Sequence, residues 1–169
     1  MIKAVFPGSF DPPSLGHLNI IERASALFDE LIVVVAENPG KKCLFSPAER
    51  VSLLERLVRD RKNVSVVSWG GLIVEFLREK DIRILIRGVR GTSDMSYEFE
   101  LSMWNKALAP KIETIFLTTD PRYLVLRSSG IREVAAFGGN IDAMVPPPVA
   151  EALRGKFRDR GADGGPRIV

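Results

Sequence analysis

A chain of 169 residues has the length for one domain with a buried core, and its 46% hydrophobic and 27% charged residues are ordinary globular composition, which excludes extended disorder. No apolar run approaches the ~20 residues that a bilayer span needs, and the opening apolar run is broken by Pro7-Gly8 before it can read as a secretion signal. The net charge of +3 arises from 24 basic residues interleaved with 21 acidic ones, without a basic run carrying aromatics, so a few cations facing a small polyanion fit better than a nucleic-acid stripe. One cysteine, Cys43, leaves no internal disulfide and fits a reducing compartment. The expected setting is cytoplasmic, with no nucleic acid and no membrane.

In chain order, Ile2 to Phe6 reads as a buried strand that stops at Pro7-Gly8. A loop through Ser9, Phe10, Asp11, Pro12 and Pro13 leads to a helix from about His17 to Phe28, with Leu18, Ile21, Ala24 and Phe28 on one face. A strand, a glycine-bearing loop and a helix start are how α/β proteins build a phosphate site. Leu31 to Ala36 is a continuous β-branched run, predicting a strand covered on both sides, and Lys41-Lys42 follow its end. Ser46-Pro47-Ala48-Glu49 is a capping box with proline at the first helical position.

Val64 to Ser68 predicts a third strand, Leu72 to Glu79 a helix, and Ile82 to Ile86 a fourth strand that runs into Arg87-Gly88-Val89-Arg90-Gly91. Asp94 is placed to cap a long helix with Tyr97, Leu101, Trp104 and Leu108 on one face, and Glu113 to Thr118 predicts a fifth strand. Strands alternating with helices predict an α/β, Rossmann-like, doubly wound parallel sheet of five strands in one domain, residues 1–155. The glycine- and charge-rich stretch 156–169 reads as a frayed tail.

Several candidates follow strand ends, where ligands of such sheets bind. His17, the only histidine, is either a structural residue at a helix start or a donor aimed at a bound phosphate. Arg87 and Arg90, around Gly88, read as a phosphate fork or as surface ion pairs. Lys41 and Lys42 are solvated lysines or further phosphate contacts. Ser128-Ser129 is an N-cap or an anion-binding helix start. Zinc, Walker-type and dinucleotide sites fail by inventory, as does a serine triad. Asp11, Asp94, Glu98 and Glu100 show no specific pairing.

Pro7-Gly8-Ser9-Phe10-Asp11-Pro12 followed by Gly16-His17 resembles the signature of the nucleotidyltransferase superfamily. With Ile86-Arg87-Gly88-Val89-Arg90, Tyr97-Glu98 and Ser128-Ser129-Gly130-Ile131-Arg132-Glu133, the chain resembles the bacterial phosphopantetheine adenylyltransferase family over about residues 1–155. The resemblance implies adenylyl transfer from ATP to 4′-phosphopantetheine, giving dephospho-coenzyme A and pyrophosphate in coenzyme A biosynthesis, with Mg²⁺ as cofactor and a homohexamer as the assembly. It implies His17, Lys41 and Arg90 as the catalytic set, His17 stabilising the transition state. Ser9, Lys41, Ile73 and Arg87 match phosphopantetheine-binding positions. Ser9, Phe10, His17, Gly88, Val89, Arg90, Glu98 and Tyr123-Leu124-Val125-Leu126-Arg127-Ser128-Ser129 match ATP-binding positions. No side chain is assigned to the metal. Arg127 departs from the family, standing where a serine-like residue is usual. The alternatives are a related nucleotidyltransferase acting on nicotinate mononucleotide or a cytidine nucleotide, and a nucleotide-binding module without catalysis.

Overall fold

A computed structural model describes residues 1–162. Five strands, β1 (Lys3–Gly8), β2 (Glu30–Ala36), β3 (Val64–Trp69), β4 (Ile84–Val89) and β5 (Glu113–Thr118), form one parallel sheet in the order β3-β2-β1-β4-β5. The order reverses beside β1, so this is the doubly wound sheet that the alternating pattern predicts, with its switch point between β1 and β4. Helices α1 (Leu15–Leu27), α2 (Pro47–Val58), α3 (Ile73–Glu79) and α4 (Thr92–Leu108) connect the strands.

Alternation along the strands sorts the core onto two faces. Ala4, Phe6, Leu31, Val33 and Val35 pack with Ile20, Ile21 and Ala24 of α1 and Leu54 and Val58 of α2. Val5, Ile32, Val34 and Leu85 face the other way, onto Val74, Phe76 and Leu77 of α3. Burial on both sides is why β1 and β2 read as unbroken apolar runs. A third cluster joins α2 to α5 (Ser128–Ala136) and α6 (Pro147–Ala162) through Phe45, Leu53, Ile131, Val149 and Leu153.

Several boundaries differ from expectation, each for a local reason. β1 continues through Pro7-Gly8, since both residues pair with β2, Pro7 opposite Val34 and Gly8 opposite Val35. α1 starts two residues before His17, because Ser14 is its N-cap. β4 begins at Ile84 rather than Ile82, as the Ile82 amide donates to the Leu77 carbonyl (2.9 Å) and finishes the turn after α3. Gly91, not Asp94, is the N-cap of α4, and Asp94 lies in its first turn. The expected tail boundary at 155/156 falls inside α6: Lys156 pairs with Glu49 (2.7 Å) and Phe157 packs on the third cluster. The remainder of that stretch, 163–169, lies outside the described residues. α4 carries exposed apolar side chains, with Tyr97 61% and Trp104 69% exposed. No helix among the described residues is long and apolar enough to cross a membrane.

One feature of the ladder makes the site. β1 and β4 pair only at Ala4–Ile84 and Val5–Leu85, while β1–β2 pairing runs on to Gly8–Val35 and β4–β5 pairing to Val89–Thr118. Beyond Val5 the two central strands part, and the crevice between their carboxyl ends opens into a cavity.

Candidate active site

The cavity measures about 750 Å³ and is walled by the β1–α1 loop, the start of α1, the end of β4, α4 and the start of α5. Its floor is the loop Ser9–Pro13, which is held from several directions. The Asp11 carboxylate, almost fully buried, accepts from the Leu44 amide (2.8 Å) and the Phe45 amide (2.9 Å) and pairs with Arg132 (3.1 Å). The Arg132 guanidinium also donates to the Asp11 carbonyl, and the Ser128 hydroxyl donates to the Pro12 carbonyl at 2.9 Å. Phe10 takes a left-handed backbone (φ 49°) and places its ring edge-on to both Phe6 (5.6 Å) and His17 (5.0 Å). A β-carbon at Gly8 would come within 2.8 Å of the Phe10 ring, so Gly8 is what lets that ring fold back under the loop.

His17 is at once a cap residue and a wall of the cavity. The Ser14 amide donates to His17 Nδ1 at 3.0 Å, and the Ser14 hydroxyl accepts from the His17 amide at 3.3 Å. A ring nitrogen that accepts from an amide carries no proton, so the proton is on Nε2. Burial, then the positive charge of Arg90, pushes the imidazole pKa down to about 4. The group facing the cavity is therefore a neutral imidazole presenting one N–H. The structural reading of this histidine is met at Nδ1, which leaves Nε2 outside the capping contacts.

The cations arrive from separate strand ends. Arg87 at the end of β4 makes a two-point ion pair with Glu98 of α4 (2.6 and 2.7 Å) and donates to the Pro7 carbonyl at 3.2 Å, spanning the parted strands. Arg90 donates to Asp94 (2.7 Å) and to the Leu126 carbonyl (2.9 Å), tying α4 to the segment before α5. The hydrogen bond from Arg90 outweighs the opposing effect of burial and lowers the pKa of the Asp94 carboxyl, to which the Arg127 charge also contributes. Lys41 lines the cavity from an exposed loop. Three of the four carboxylates for which the sequence shows no pairing are thus paired, Asp11 with Arg132, Asp94 with Arg90 and Glu98 with Arg87, while Glu100 is exposed on α4.

Of the residues singled out in the sequence, the cavity brings together Ser9, Phe10, His17, Lys41, Arg87, Gly88, Arg90 and Glu98 with Tyr123, Leu126, Arg127, Ser128 and Ser129. It does not bring in Ile73, which packs on the core beneath α3, or Val89, which is buried in the sheet. Leu124 and Val125 are exposed and also stand outside its walls. Sequence reasoning misses Arg50 of α2, which is 2% exposed and reaches the opening loop. The signal is its position: Arg50 lies three and four residues before Leu53 and Leu54, on the helix face that goes into the core. Among the described residues no group of three or more His, Cys, Asp or Glu side chains gathers to hold a metal.

The cytidylyltransferase-like family model matches residues 5–134. The chain is 50% identical over 157 residues to the phosphopantetheine adenylyltransferase of Dictyoglomus thermophilum, covering 93% of this chain and 96% of the relative. It is 49% identical to the enzyme of that name from Thermosynechococcus vestitus (91% and 92% covered) and 47% identical to that of Clostridium tetani (93% and 98%). Among solved structures, a Vibrio parahaemolyticus protein provisionally assigned as a nicotinate-nucleotide adenylyltransferase superposes with a TM-score of 0.70 at 23% identity, covering 94% of this chain and 97% of that one. At that identity the likeness is one of fold. The chain belongs to the phosphopantetheine adenylyltransferase family of cytidylyltransferase-like nucleotidyltransferases, and it is an enzyme of that class.

Proposed function

We propose that the chain catalyses reversible adenylyl transfer from ATP to 4′-phosphopantetheine, forming dephospho-coenzyme A and pyrophosphate. The observation that carries this reading is the pairing of a neutral His17 N–H donor with arginines on a cavity whose carboxylates are all committed to cations. Such a site has no base to offer, and this reaction needs none. The acceptor phosphate is already an anion at neutral pH. One of its oxygens attacks the α-phosphorus of ATP while the bond from that phosphorus to the bridging oxygen breaks, and the electron pair leaves with pyrophosphate.

Catalysis is then positioning together with stabilisation of charge. His17 Nε2–H donates to an α-phosphoryl oxygen as negative charge builds there, and its own proton stays in place. Arg90, fixed by Asp94 and the Leu126 carbonyl, holds the nucleotide side, with Ser128, the Ser129 hydroxyl and the Arg127 guanidinium further along the triphosphate. Arg87 and Lys41 hold the acceptor phosphate. Ser9 and Phe10 contribute the loop backbone, and Glu98 keeps Arg87 oriented while bordering the nucleotide. Mg²⁺ would accompany the nucleotide. Because Asp94 and Glu98 are taken by arginines, its ligands would be phosphate oxygens and water rather than a protein cage, and the steps above do not run through it. The exposed apolar side chains of α4 support self-association into the homohexamer, and a single cysteine fits a cytoplasmic enzyme.

Product analysis tests the reaction. Purified enzyme with ATP, Mg²⁺ and 4′-phosphopantetheine is expected to yield dephospho-coenzyme A and stoichiometric pyrophosphate. Faster turnover of nicotinate mononucleotide would overturn the assignment, and ATP binding without turnover of either acceptor would favour a binding module. Sedimentation at micromolar protein checks the sixfold assembly.

A further inference from the structure

Arg50 stands apart from the other charged residues of the protein. It is 2% exposed, yet no ion pair involves it among the described residues, whereas the buried Asp11 carboxylate has Arg132. Its two hydrogen bonds both leave from Nη1, to the Ser9 carbonyl at 2.6 Å and to the Ala36 carbonyl at 3.2 Å. Nε is buried with no acceptor at all. A buried cation without a counter-ion is expensive, and proteins keep one only where something else compensates it.

Its two acceptors, both neutral carbonyls, show what it holds in place. Ser9 is the first residue beyond β1 and Ala36 the last of β2, so one guanidinium group clamps the carboxyl ends of two neighbouring strands. The clamp also fixes the direction of the Ser9–Phe10 peptide. The Ser9 carbonyl is drawn toward α2, while the Phe10 amide, on the opposite side of that planar peptide, donates to no other backbone group. Carbonyls on either side are held as well: Pro7 by Arg87, Asp11 by Arg132, Pro12 by Ser128. With the Pro7, Ser9, Asp11 and Pro12 carbonyls drawn off, the Phe10 amide is left to face an anion.

We propose that Arg50 is the positioning residue of the anion-binding loop: it aims the Ser9–Phe10 peptide into the cavity, and its own unpaired charge is balanced only when a polyphosphate occupies that loop. The inference deepens the adenylyl-transfer reading. It assigns Arg50 no contact with substrate. Its action passes through the backbone of Ser9.

Arg50→Lys and Arg50→Gln separate the two parts of the proposal. Lysine keeps the charge but replaces the planar guanidinium with a rotatable ammonium on a shorter side chain, whereas glutamine removes the charge. The readouts are inorganic pyrophosphate binding by calorimetry, the rise in Tm that saturating pyrophosphate produces, and steady-state kcat with ATP and 4′-phosphopantetheine. Arg50→Lys is expected to bind pyrophosphate within about threefold of wild type while kcat falls ~10-fold or more, as for a displaced site. Arg50→Gln is expected to lose ~10-fold or more in pyrophosphate affinity and most of the ligand-induced rise in Tm.

Two folded variants that bind pyrophosphate and turn over as wild type does would overturn the proposal. So would variants whose Tm drops while affinity and kcat are unchanged, since a merely structural arginine behaves in that way. Failure of both variants to fold would assign Arg50 to stability alone and overturn it too. If wild-type protein makes no dephospho-coenzyme A, the adenylyl-transfer reading fails, and the pyrophosphate arms still decide the role of Arg50.

Discussion

Arg87 and Glu98 meet through two parallel hydrogen bonds, Nε to Oε2 at 2.6 Å and Nη2 to Oε1 at 2.7 Å, with the arginine 25% and the glutamate 12% exposed. The pair joins the end of β4 to the middle of α4 and holds the guanidinium plane fixed at the mouth of the crevice. The cation at Arg87 is thereby oriented, with Nη1 anchored on the Pro7 carbonyl.

A double-mutant cycle with Arg87→Ala and Glu98→Ala should therefore give a coupling of about 1–3 kcal/mol in urea unfolding, as for partly buried charges in one network. In the same proteins, Arg87→Ala should raise KM for the phosphorylated acceptor ~10-fold or more, since an oriented positive charge is lost. Additive single effects in unfolding would mean the pair is no more than a solvated contact.

His17 gives a pH prediction with a definite sign. The unfolded imidazole takes up its proton near pH 6.5, whereas the folded one does so only near 4. Between those values the unfolded chain holds the extra proton, so acid favours unfolding. Stability should be level above pH 6.5 and fall by ~1.4 kcal/mol per pH unit down to pH 4, relative to His17→Gln. The carboxylates whose pKa values are lowered, Glu49, Asp94 and Asp120, are common to both proteins and cancel in the difference. Urea unfolding of the two proteins across that range is the measurement, and a flat difference would contradict the buried neutral imidazole.

In turnover, His17→Ala should lower kcat ~10²-fold or more with ATP affinity nearly intact, as for the loss of a donor that acts in the transition state. Equal losses in affinity and rate would make it a ground-state contact.

Two glycines of the crevice should respond differently to alanine. At Gly8 the new β-carbon meets the Phe10 ring at 2.8 Å, and that ring leans on His17. At Gly88 the nearest atom is Ile20 Cγ1 at 3.4 Å, close to ordinary contact. Gly8→Ala is expected to cut kcat ~10-fold or more through displaced geometry, with Gly88→Ala within about threefold of wild type. Steady-state kinetics on both variants decide, and equal behaviour would deny the Phe10–His17 contact any part in the rate.

Asp11→Asn keeps shape and removes charge. It leaves Arg132 without its partner and turns an amide N–H toward a donor that expects an oxygen. A loss of about 3 kcal/mol in urea unfolding is expected, as when one member of a buried pair is removed. A change under ~0.5 kcal/mol would show that the Leu44 and Phe45 amides are satisfied otherwise.

The sheet is legible in the sequence because a parallel strand buried on both faces is written as a run, and Leu31 to Ala36 can be little else. Strand ends are less legible, since they depend on which neighbour takes an amide: Ile82 looks like strand until the Leu77 carbonyl claims it. Residues whose work is local, such as His17 and Ser46, carry their signal in the sequence. Asp11, Arg50 and Arg132 act across the fold, and their partners lie dozens of residues away, beyond the reach of any pattern. Glu98 resembles a ligand contact by position, yet its two oxygens are on Arg87. No local feature of the chain encodes that choice.

The anchors of the opening loop also set the order in which the site can be built. Ser9 waits for Arg50, 41 residues on, Pro7 for Arg87 after 80, Pro12 for Ser128 after 116, and Asp11 for Arg132 after 121. During synthesis the loop is made before Arg50, Arg87, Ser128 and Arg132, so it acquires its native contacts only once each of these has followed it. Contacts of such long sequence separation form late and slowly. All five strands lie before residue 119, whereas the anchors of Pro12 and Asp11 come at Ser128 and Arg132, so the shape of the opening loop depends on chain that follows the sheet.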